Sequence, residues 1–162
     1  MLSLLQRVSS SSVTVDDEVV GRIGRGLLVF VGIEKGDREA EADRMLERIL
    51  GYRMFSDDQG RMNRSVADVG GGVLLVPQFT LPADTRSGMR PSLSPAAPPD
   101  VGRALFDYLL ETARRQYDNV ASGELPRQRR GGPPGRSRKI FTSPGACRSA
   151  GQPRRTPPSL RR

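Results

Sequence analysis

The 162-residue sequence contains no His and no Trp, and its single Cys is Cys147. Without His, the chain has no Ser–His or Cys–His nucleophile pair and no His-ligated metal. One Cys alone forms neither a Cys-rich zinc site nor a disulfide framework. Any catalysis must therefore come from carboxylates, hydroxyls, amides, cations or the backbone itself.

Aromatic residues are also scarce, at 5% of the chain, while hydrophobic residues make up 36%. A hydrophobic core must therefore consist mainly of Leu, Val, Ile and Ala. The length predicts about one domain. This composition is sufficient for one compact body of modest size.

The positive charge is concentrated at one end of the chain. Residues 1–123 contain 15 Lys and Arg against 17 Asp and Glu, a net charge of −2, whereas residues 124–162 contain 11 against one, a net charge of +10. Seven of the 13 prolines also lie in the second segment. Such a segment buries too little apolar surface to offset the entropy of ordering. The sequence predicts a domain at 1–123 and a disordered, basic, Pro- and Arg-rich tail at 124–162.

The N-terminus does not have the pattern of an export signal. Its apolar run lasts five residues before Gln6 and Arg7 interrupt it, and no basic region precedes it. No apolar run in the chain approaches the roughly 20 residues that cross a bilayer. The lone Cys is consistent with a reducing compartment. We expect a cytoplasmic protein with no membrane partner.

Apolar patterning predicts a β-rich first part of the chain. Strands are expected at 2–8, 27–33 and 73–76, and the Val residues on either side of Asp16-Asp17 predict a hairpin with this acidic pair in its turn. The runs at 27–33 and 73–76 are apolar on successive residues, which is typical of strands that are buried on both faces.

Two helices are predicted. The first begins at an Asp37 N-cap and ends at Gly51, with apolar residues spaced as on one helix face. The second begins at residues 98–100, where two prolines precede an Asp, and ends near Tyr117. A short strand is expected at 52–55.

The most unusual local feature is Gln78-Phe79-Thr80, which places an amide, an aromatic ring and a hydroxyl at the exit of a buried strand. In an extended chain the side chains of Gln78 and Thr80 share one face, and Phe79 points to the other. Polar side chains in this position either line a pocket or cap an ordinary strand end. The residues alone leave both interpretations open.

Other polar residues are equally open to two explanations. Arg7 lies inside a predicted strand, so it needs a partner if it is buried and none if it faces solvent. The acidic pairs Asp16-Asp17 and Asp57-Asp58 lie in predicted turns. Solvated turn residues explain such pairs more simply than a catalytic carboxylate pair does.

Many short blocks of residues 1–123 resemble one known family in their order and spacing. The blocks are Gln6-Arg7-Val8, Val13-Thr14-Val15, Gly26-Leu27-Leu28-Val29, Val31-Gly32-Ile33-Glu34-Lys35, Arg61-Met62-Asn63, Gln78-Phe79-Thr80-Leu81, Ala83-Asp84-Thr85-Arg86 and Arg90-Pro91-Ser92. The family that they resemble is D-aminoacyl-tRNA deacylase, also called D-tyrosyl-tRNA deacylase. This resemblance implies an α+β fold with a curled, mostly antiparallel, barrel-like sheet and two helices packed on its outside. It also implies a homodimer.

The resemblance further implies hydrolysis of the ester that joins a D-amino acid to the 3′-terminal adenosine of tRNA. The products are the free D-amino acid and tRNA, and the role is chirality proofreading in translation. Glycyl-tRNA mischarged on tRNA-Ala is implied as a second substrate. The resemblance implies an enzyme that uses no cofactor and no metal. Because an aminoacyl ester is already activated, the main demands on the enzyme are positioning and backbone donors for the oxyanion.

The family's Ser-Gln-x-Thr-Leu motif corresponds to residues 77–81. On this correspondence the catalytic groups are Thr80 and the main chain of Phe79. The substrate-binding residues are Gln78, Phe79 and Arg7, with Arg7 bracing the pocket from the first strand. The Thr80 hydroxyl is a weaker candidate for a nucleophile, because no base is predicted beside it.

The sequence departs from the family pattern in two places. The leading Ser of the motif is Pro77, so either this position lies beyond the last hydrogen bond of the strand or the edge of the pocket is distorted. The family's C-terminal motif, Asn-x-Gly-Pro-x-Thr, is absent, and with it the Gly–cis-Pro unit that reaches into the partner's pocket. Gly132-Pro133 lacks the flanking Asn and Thr, and no strand pattern is visible after Gly123.

We interpret the tail as an out-of-frame translation. Residues 1–123 contain 14 Arg and one Lys, as GC-rich codons favour, and a shifted reading of such DNA yields Arg, Pro, Gly and Ser. Two alternatives to an active deacylase stay open. One is a catalytically impaired deacylase scaffold that lacks the Gly–cis-Pro motif, and the other is a nonspecific nucleic-acid binder that uses the basic tail.

Overall fold

The computed structural model describes residues 1–86, 89–123 and 138–144. The described residues form strands and helices in the order β1 Leu2–Val15, β2 Glu18–Ile23, β3 Gly26–Gly32, α1 Glu39–Gly51, β4 Phe55–Ser56, β5 Met62–Arg64, β6 Gly72–Pro77, α2 Pro99–Gln116, β7 Val120–Ser122 and β8 Arg138–Pro144. This arrangement confirms the predicted α+β class. The short strand predicted at 52–55 is wrong in position, since β4 begins at Phe55.

One curled sheet contains most of the strands. β2, β1, β3, β6 and β7 lie side by side in that order, and β8 pairs with β1. The pairings of β1 with β2, β3 and β8 are antiparallel, whereas β3–β6 and β6–β7 are parallel. Each parallel pair is joined by a crossover that contains a helix, as parallel strands require. The curled, mostly antiparallel sheet is therefore as predicted, with a parallel part.

The sheet is nearly closed into a barrel where β7 approaches β2. A Cβ atom on Gly21 of β2 would lie 2.4 Å from the carbonyl oxygen of Ser122 in β7. A Cβ atom on Gly123 would lie 2.9 Å from Cγ2 of Val13. Because both distances are too short for a side chain, glycine is needed at these two points for the sheet to close.

The curled sheet separates two hydrophobic clusters. The inner cluster contains no helical residue and consists of Val8, Val13, Val15, Ile23, Leu28, Leu74 and Val76. In the outer cluster, alternate residues of β3 and β6 pack against both helices. The helices contribute Ala42, Leu46, Ile49, Leu105, Phe106, Leu109, Leu110 and Ala113 to it. The two helices therefore lie on the outside of the sheet, as predicted.

The start of α1 differs from the prediction. Its N-cap is Arg38, not Asp37. The Asp37 carboxylate is already engaged outside the helix, where it accepts a hydrogen bond of 2.7 Å from the backbone N–H of Glu34. The carboxylate of Glu41 caps the helix instead, accepting a 2.9 Å bond from the Arg38 N–H. α2 agrees with its prediction to within one residue at each end.

Neither of the described helices is long and apolar enough to cross a membrane.

Two predictions about strands need correction. β1 continues without a break from Leu2 to Val15, because its serine-rich middle is held by its neighbours: Ser11 pairs with β2 and with β8. The tail was predicted to lack strands, yet residues 138–144 form β8 along Val8–Val15, and Ile140 packs against the inner cluster. Local composition predicted disorder there, but the edge of β1 offers backbone partners that composition does not show. Residues 124–137, including Gly132-Pro133, and 145–162 lie outside the described residues.

Candidate active site at the end of strand β6

The Gln78-Phe79-Thr80 segment forms a surface turn directly after the buried strand β6. Gln78 is half-buried, the Phe79 side chain is 64% exposed, and Thr80 is exposed. The turn is closed by a 3.1 Å hydrogen bond from the N–H of Leu81 to the carbonyl of Gln78. A rigid, fully buried strand therefore presents a polar turn to solvent.

Pro77 fits this strand because of where its missing N–H would point. The next residue, Gln78, donates its N–H to the carbonyl of Val31 in β3 at 2.8 Å. Successive N–H groups of a parallel strand point to opposite neighbours, so an N–H at residue 77 would face the β7 side. On that side the described pairing extends to Leu75 with Ser122, and residues 124–137, which follow Gly123, lie outside the described ones. The missing N–H of Pro77 therefore costs the strand no hydrogen bond to β3, and the two predicted explanations stay predictions.

The side chains of Gln78 and Thr80 contact each other. The Gln78 amide Nε2 donates a hydrogen bond to Oγ1 of Thr80. Because the hydroxyl oxygen accepts this bond, its own proton is free to be donated outward. In the part of the chain that is described, no carboxylate or amine contacts Thr80 Oγ1. That no base activates this hydroxyl stays a prediction.

The backbone of the turn presents two free donors. Within residues 1–86, 89–123 and 138–144, no acceptor is hydrogen-bonded to the backbone N–H of Phe79 or of Thr80. Both residues are exposed, so these donors face solvent. Adjacent backbone N–H groups that lack an internal partner are suited to an anionic or partly negative oxygen.

Gly32 at the end of β3 determines how closely the turn approaches the sheet. A Cβ atom on Gly32 would lie 2.8 Å from Cβ of Leu81 and 2.8 Å from Cδ of Pro82. The turn therefore packs on the bare backbone of β3. Sequence reasoning did not identify Gly32 as a site residue, and only the close contact across the sheet reveals it.

The loop that follows the turn carries an ion pair. The Arg86 guanidinium donates to both carboxylate oxygens of Asp84, from Nε to Oδ1 at 2.9 Å and from Nη2 to Oδ2 at 2.8 Å. These bonds, with a further one from the Arg86 N–H, hold the pKa of Asp84 well below its ordinary value. The backbone of Asp84 is also paired with Ser92 across the loop, at 2.8 and 2.9 Å. The ion pair lies in the loop that begins next to the candidate turn.

Arg7 lies in a different place from the turn. Its Nη1 donates to the carbonyl of Met54 at 2.7 Å and contacts Sδ of Met62 at 3.2 Å. Arg7 pairs with Leu27 at the start of β3, whereas Gln78 bonds to Val31 near its end. Within one chain the structure brings Gln78, Phe79 and Thr80 together but does not bring Arg7 to them.

The two acidic pairs lie in turns, as predicted. Asp16 and Asp17 adopt positive φ angles of 50° and 64° in the β1–β2 hairpin. Asp57 accepts hydrogen bonds from the N–H of Arg61, from the side-chain amide of Asn63 and from the N–H of Gln59, and these bonds lower its pKa. Among the described residues, no group of three His, Cys, Asp or Glu side chains is arranged to hold a metal ion.

A family model described as D-Tyr-tRNA(Tyr) deacylase matches residues 4–129. The D-aminoacyl-tRNA deacylase of Thioalkalivibrio sulfidiphilus is 60% identical over 123 residues, which are 76% of this chain and 83% of that protein. The enzyme of the same name from Pseudomonas putida KT2440 is 60% identical over 125 residues, 77% of this chain and 86% of its own.

Two solved structures resemble the fold. A structure titled c-Myc DNA Unwinding Element Binding Protein superposes with a TM-score of 0.78 at 30% identity, covering 88% of this chain and 91% of its own. A probable eukaryotic D-amino acid tRNA deacylase superposes with a TM-score of 0.66 at 16% identity, covering 86% of this chain and 92% of its own. At 16% identity the second likeness shows the fold alone. The matched length and the identity to the bacterial relatives show that this chain belongs to the D-Tyr-tRNA(Tyr) deacylase family.

Proposed function

We propose that this protein hydrolyses the ester of D-aminoacyl-tRNA, releasing the D-amino acid and tRNA. The observation that carries the proposal is the pair of backbone N–H groups at Phe79 and Thr80, which have no acceptor among the described residues and lie on an exposed turn. The chain that carries them is 60% identical to deacylases of this name. The aminoacyl ester is an activated bond. Fixed hydrogen-bond donors are therefore the chemistry that its hydrolysis most needs.

The reaction can be written with this chain's own groups. A water molecule attacks the ester carbonyl carbon, and the carbonyl oxygen becomes an oxyanion held by the N–H groups of Phe79 and Thr80. The C–O bond to the ribose then breaks. The proton lost by the water passes to the leaving 3′ oxygen, with the neighbouring 2′-hydroxyl of the ribose as a relay. The products are the free carboxylic acid and the 3′-hydroxyl of tRNA.

Thr80 and Gln78 act as positioning residues in this proposal. Because the Gln78 amide donates to Thr80 Oγ1, the Thr80 hydroxyl donates outward to the substrate rather than attacking it. Gln78 and Phe79 line the place where the terminal adenosine and the amino acid bind. A role for Arg7 in substrate binding stays a prediction, and it requires Arg7 to act on a turn other than that of its own chain. Glycyl-tRNA mischarged on tRNA-Ala is the predicted second substrate.

A homodimer is part of the proposal, and exposed apolar side chains beside the turn support it. Leu2 and Leu4 are 41% and 55% exposed. Leu2 pairs with Gly32, and Leu4 with Phe30, so both leucines lie on the face of the sheet that carries the turn. A second copy of the chain that covers this strip would also adjoin the turn.

A charged residue in the apolar strip tests the homodimer. We expect Leu4→Lys to give a monomer in sedimentation velocity and to lower kcat/KM on D-aminoacyl-tRNA by about tenfold or more, since a buried unpaired charge opposes association. Val101→Lys is the matched control, because Val101 is similarly exposed but lies on α2. A monomeric wild-type protein of full activity would contradict this part of the proposal.

Gly32→Ala tests the position of the turn. The added methyl group must push Leu81 and Pro82 away from β3, and a misplacement of about 1 Å costs on the order of 100-fold in rate. We expect kcat to fall about 10- to 100-fold while circular dichroism still shows a folded protein. Gly24→Ala is the control, because a Cβ there meets no atom within 4 Å. Equal activity of the two variants would exclude the turn as the site.

The decisive experiment measures release of amino acid from D- and L-tyrosyl-tRNA by the purified full chain. Hydrolysis of the D-ester, with the L-ester left intact, is the expected result. A folded protein that hydrolyses neither ester would favour the alternative of a catalytically impaired scaffold. Hydrolysis of both would show that the site works without chiral selection.

A further inference from the structure

The outward face of β2, β1 and β8 carries one aromatic side chain and two cations. Arg22 of β2 pairs with Ser12 of β1, and Ser12 pairs on its other side with Phe141 of β8. Residues directly paired in an antiparallel sheet point to the same face. Lys139 lies two residues before Phe141 and shares this face, opposite Thr14. We name the set Arg22, Ser12, Thr14, Lys139 and Phe141 the outward patch.

The exposed side chains of the outward patch do not contribute to the hydrophobic core. Within β8 the core contact comes from Ile140, which packs against the inner cluster, while Phe141 is 58% exposed. Arg22 and Lys139 are also exposed. A large aromatic ring beside hydroxyl groups and two cations is a surface on which a base or sugar can stack while its phosphates meet the cations.

Lys139 is available for such a contact. Its Nζ lies 3.6 Å from Oδ1 of Asp17, and both side chains are largely exposed. An exposed ion pair of this length contributes little, so a phosphate can replace the carboxylate.

The charge of the chain on both sides of β8 supports the same occupant. Residues 124–162 carry a net charge of +10, and β8 lies in the middle of this segment. Because β8 pairs with β1, its Lys139 contributes part of this charge to the outward patch.

We infer that the outward patch binds the RNA of the substrate, away from its 3′-terminal adenosine. This inference rests on the proposed function. Phe141 pairs with Ser12, which is ten residues along β1 from Leu2 beside the candidate site. At about 3.4 Å per residue the separation is at most about 34 Å, or about ten nucleotides along one strand. The outward patch therefore lies within reach of the arm of the tRNA that carries the aminoacyl ester.

The experiment measures the Kd of the full chain for uncharged tRNA between 50 and 200 mM KCl. For the double variant Arg22→Gln/Lys139→Gln, we expect the slope of log Kd against log salt concentration to fall by about 1.4 to 1.8. Each of the two lost phosphate contacts lowers this slope by about 0.7 to 0.9. For Phe141→Ala we expect a Kd about tenfold higher with the slope unchanged, because stacking involves no counterion. Arg44→Gln/Arg114→Gln is the control, in which two exposed arginines of the helices are neutralised and the slope should stay constant.

A second measurement separates this inference from the proposed function. Hydrolysis of the 3′-D-tyrosyl ester of adenosine needs the candidate site but offers no RNA to the outward patch, so all these variants should retain it. A slope unaffected by Arg22→Gln/Lys139→Gln, or equally affected by the helix control, would overturn the inference. The inference would also be overturned if the variants weakened binding to anionic phosphatidylglycerol vesicles but left the Kd for tRNA unchanged. If the adenosine ester is not cleaved but the slopes change as expected, the proposed function fails and the RNA contact stands.

Discussion

Phe79→Pro is expected to lower kcat on D-aminoacyl-tRNA by about 100- to 1000-fold relative to Phe79→Ala. Both substitutions remove the exposed aromatic ring, but only proline also removes the backbone N–H of residue 79. Loss of one donor to an oxyanion costs a factor of this size. Steady-state hydrolysis of D-tyrosyl-tRNA by the two variants measures the difference directly.

The turn tolerates proline at this position. Phe79 is the second residue of a turn closed by the bond from the Leu81 N–H to the Gln78 carbonyl, and proline is favoured there. Gln78 directly follows the extended strand β6, and the residue before a proline prefers an extended conformation. Thermal melts of both variants provide the folding control. If Phe79→Pro and Phe79→Ala hydrolyse the ester at the same rate, the backbone donor at residue 79 has no part in the reaction.

Phe55→Ala is expected to destabilise the protein by about 3–5 kcal/mol, the cost of removing a large side chain from a packed interior. Phe55 is fully buried in the outer cluster, and the Arg25 guanidinium lies 5.5 Å from the centre of its ring. For a chain of this size the midpoint of thermal unfolding falls by about 2–4 °C for each kcal/mol. Urea titration followed by circular dichroism measures the free energy of unfolding.

Phe141→Ala is the matched control for this prediction. The same atoms are removed, but the Phe141 ring is 58% exposed, so the loss of burial is small. We expect a change within about 1 kcal/mol. If Phe141→Ala were as destabilising as Phe55→Ala, β8 would be a major part of the core, and the division into a domain at 1–123 and a tail at 124–162 would have to be abandoned.

Local patterns were sufficient for much of the secondary structure. The 3.6-residue spacing of apolar side chains located α1 and α2, because each helix buries one stripe against the sheet. Continuous apolar runs located β3 and β6, which are covered on one side by the helices and on the other by the inner cluster. The N-cap of α1 was predicted at the wrong residue, since the Asp37 carboxylate serves the backbone of Glu34 instead.

Long-range pairing escaped prediction for a different reason. The serine-rich middle of β1 and the basic strand β8 carry little apolar periodicity, and each is held by hydrogen bonds to a partner far away in the sequence. Backbone pairing of this kind depends on which sheet edge is left free, and no local pattern records that. The same holds for Gly21 and Gly123, whose importance lies in the atoms that approach them.

By itself, the sequence determined the absence of His-based catalysis, the family resemblance over residues 1–123 and the position of the polar turn at Gln78-Phe79-Thr80. All three follow from the identity of residues and from their spacing over short stretches of the chain. Only the tertiary structure decided that the N–H bonded to Val31 belongs to Gln78 and not to Pro77, that the turn rests on Gly32, and that Arg7 is held elsewhere. It also placed Phe141 on the same face as Arg22 and Lys139, in the outward patch. These features depend on which strands become neighbours and on how closely their backbones approach, and both are settled only when the sheet closes.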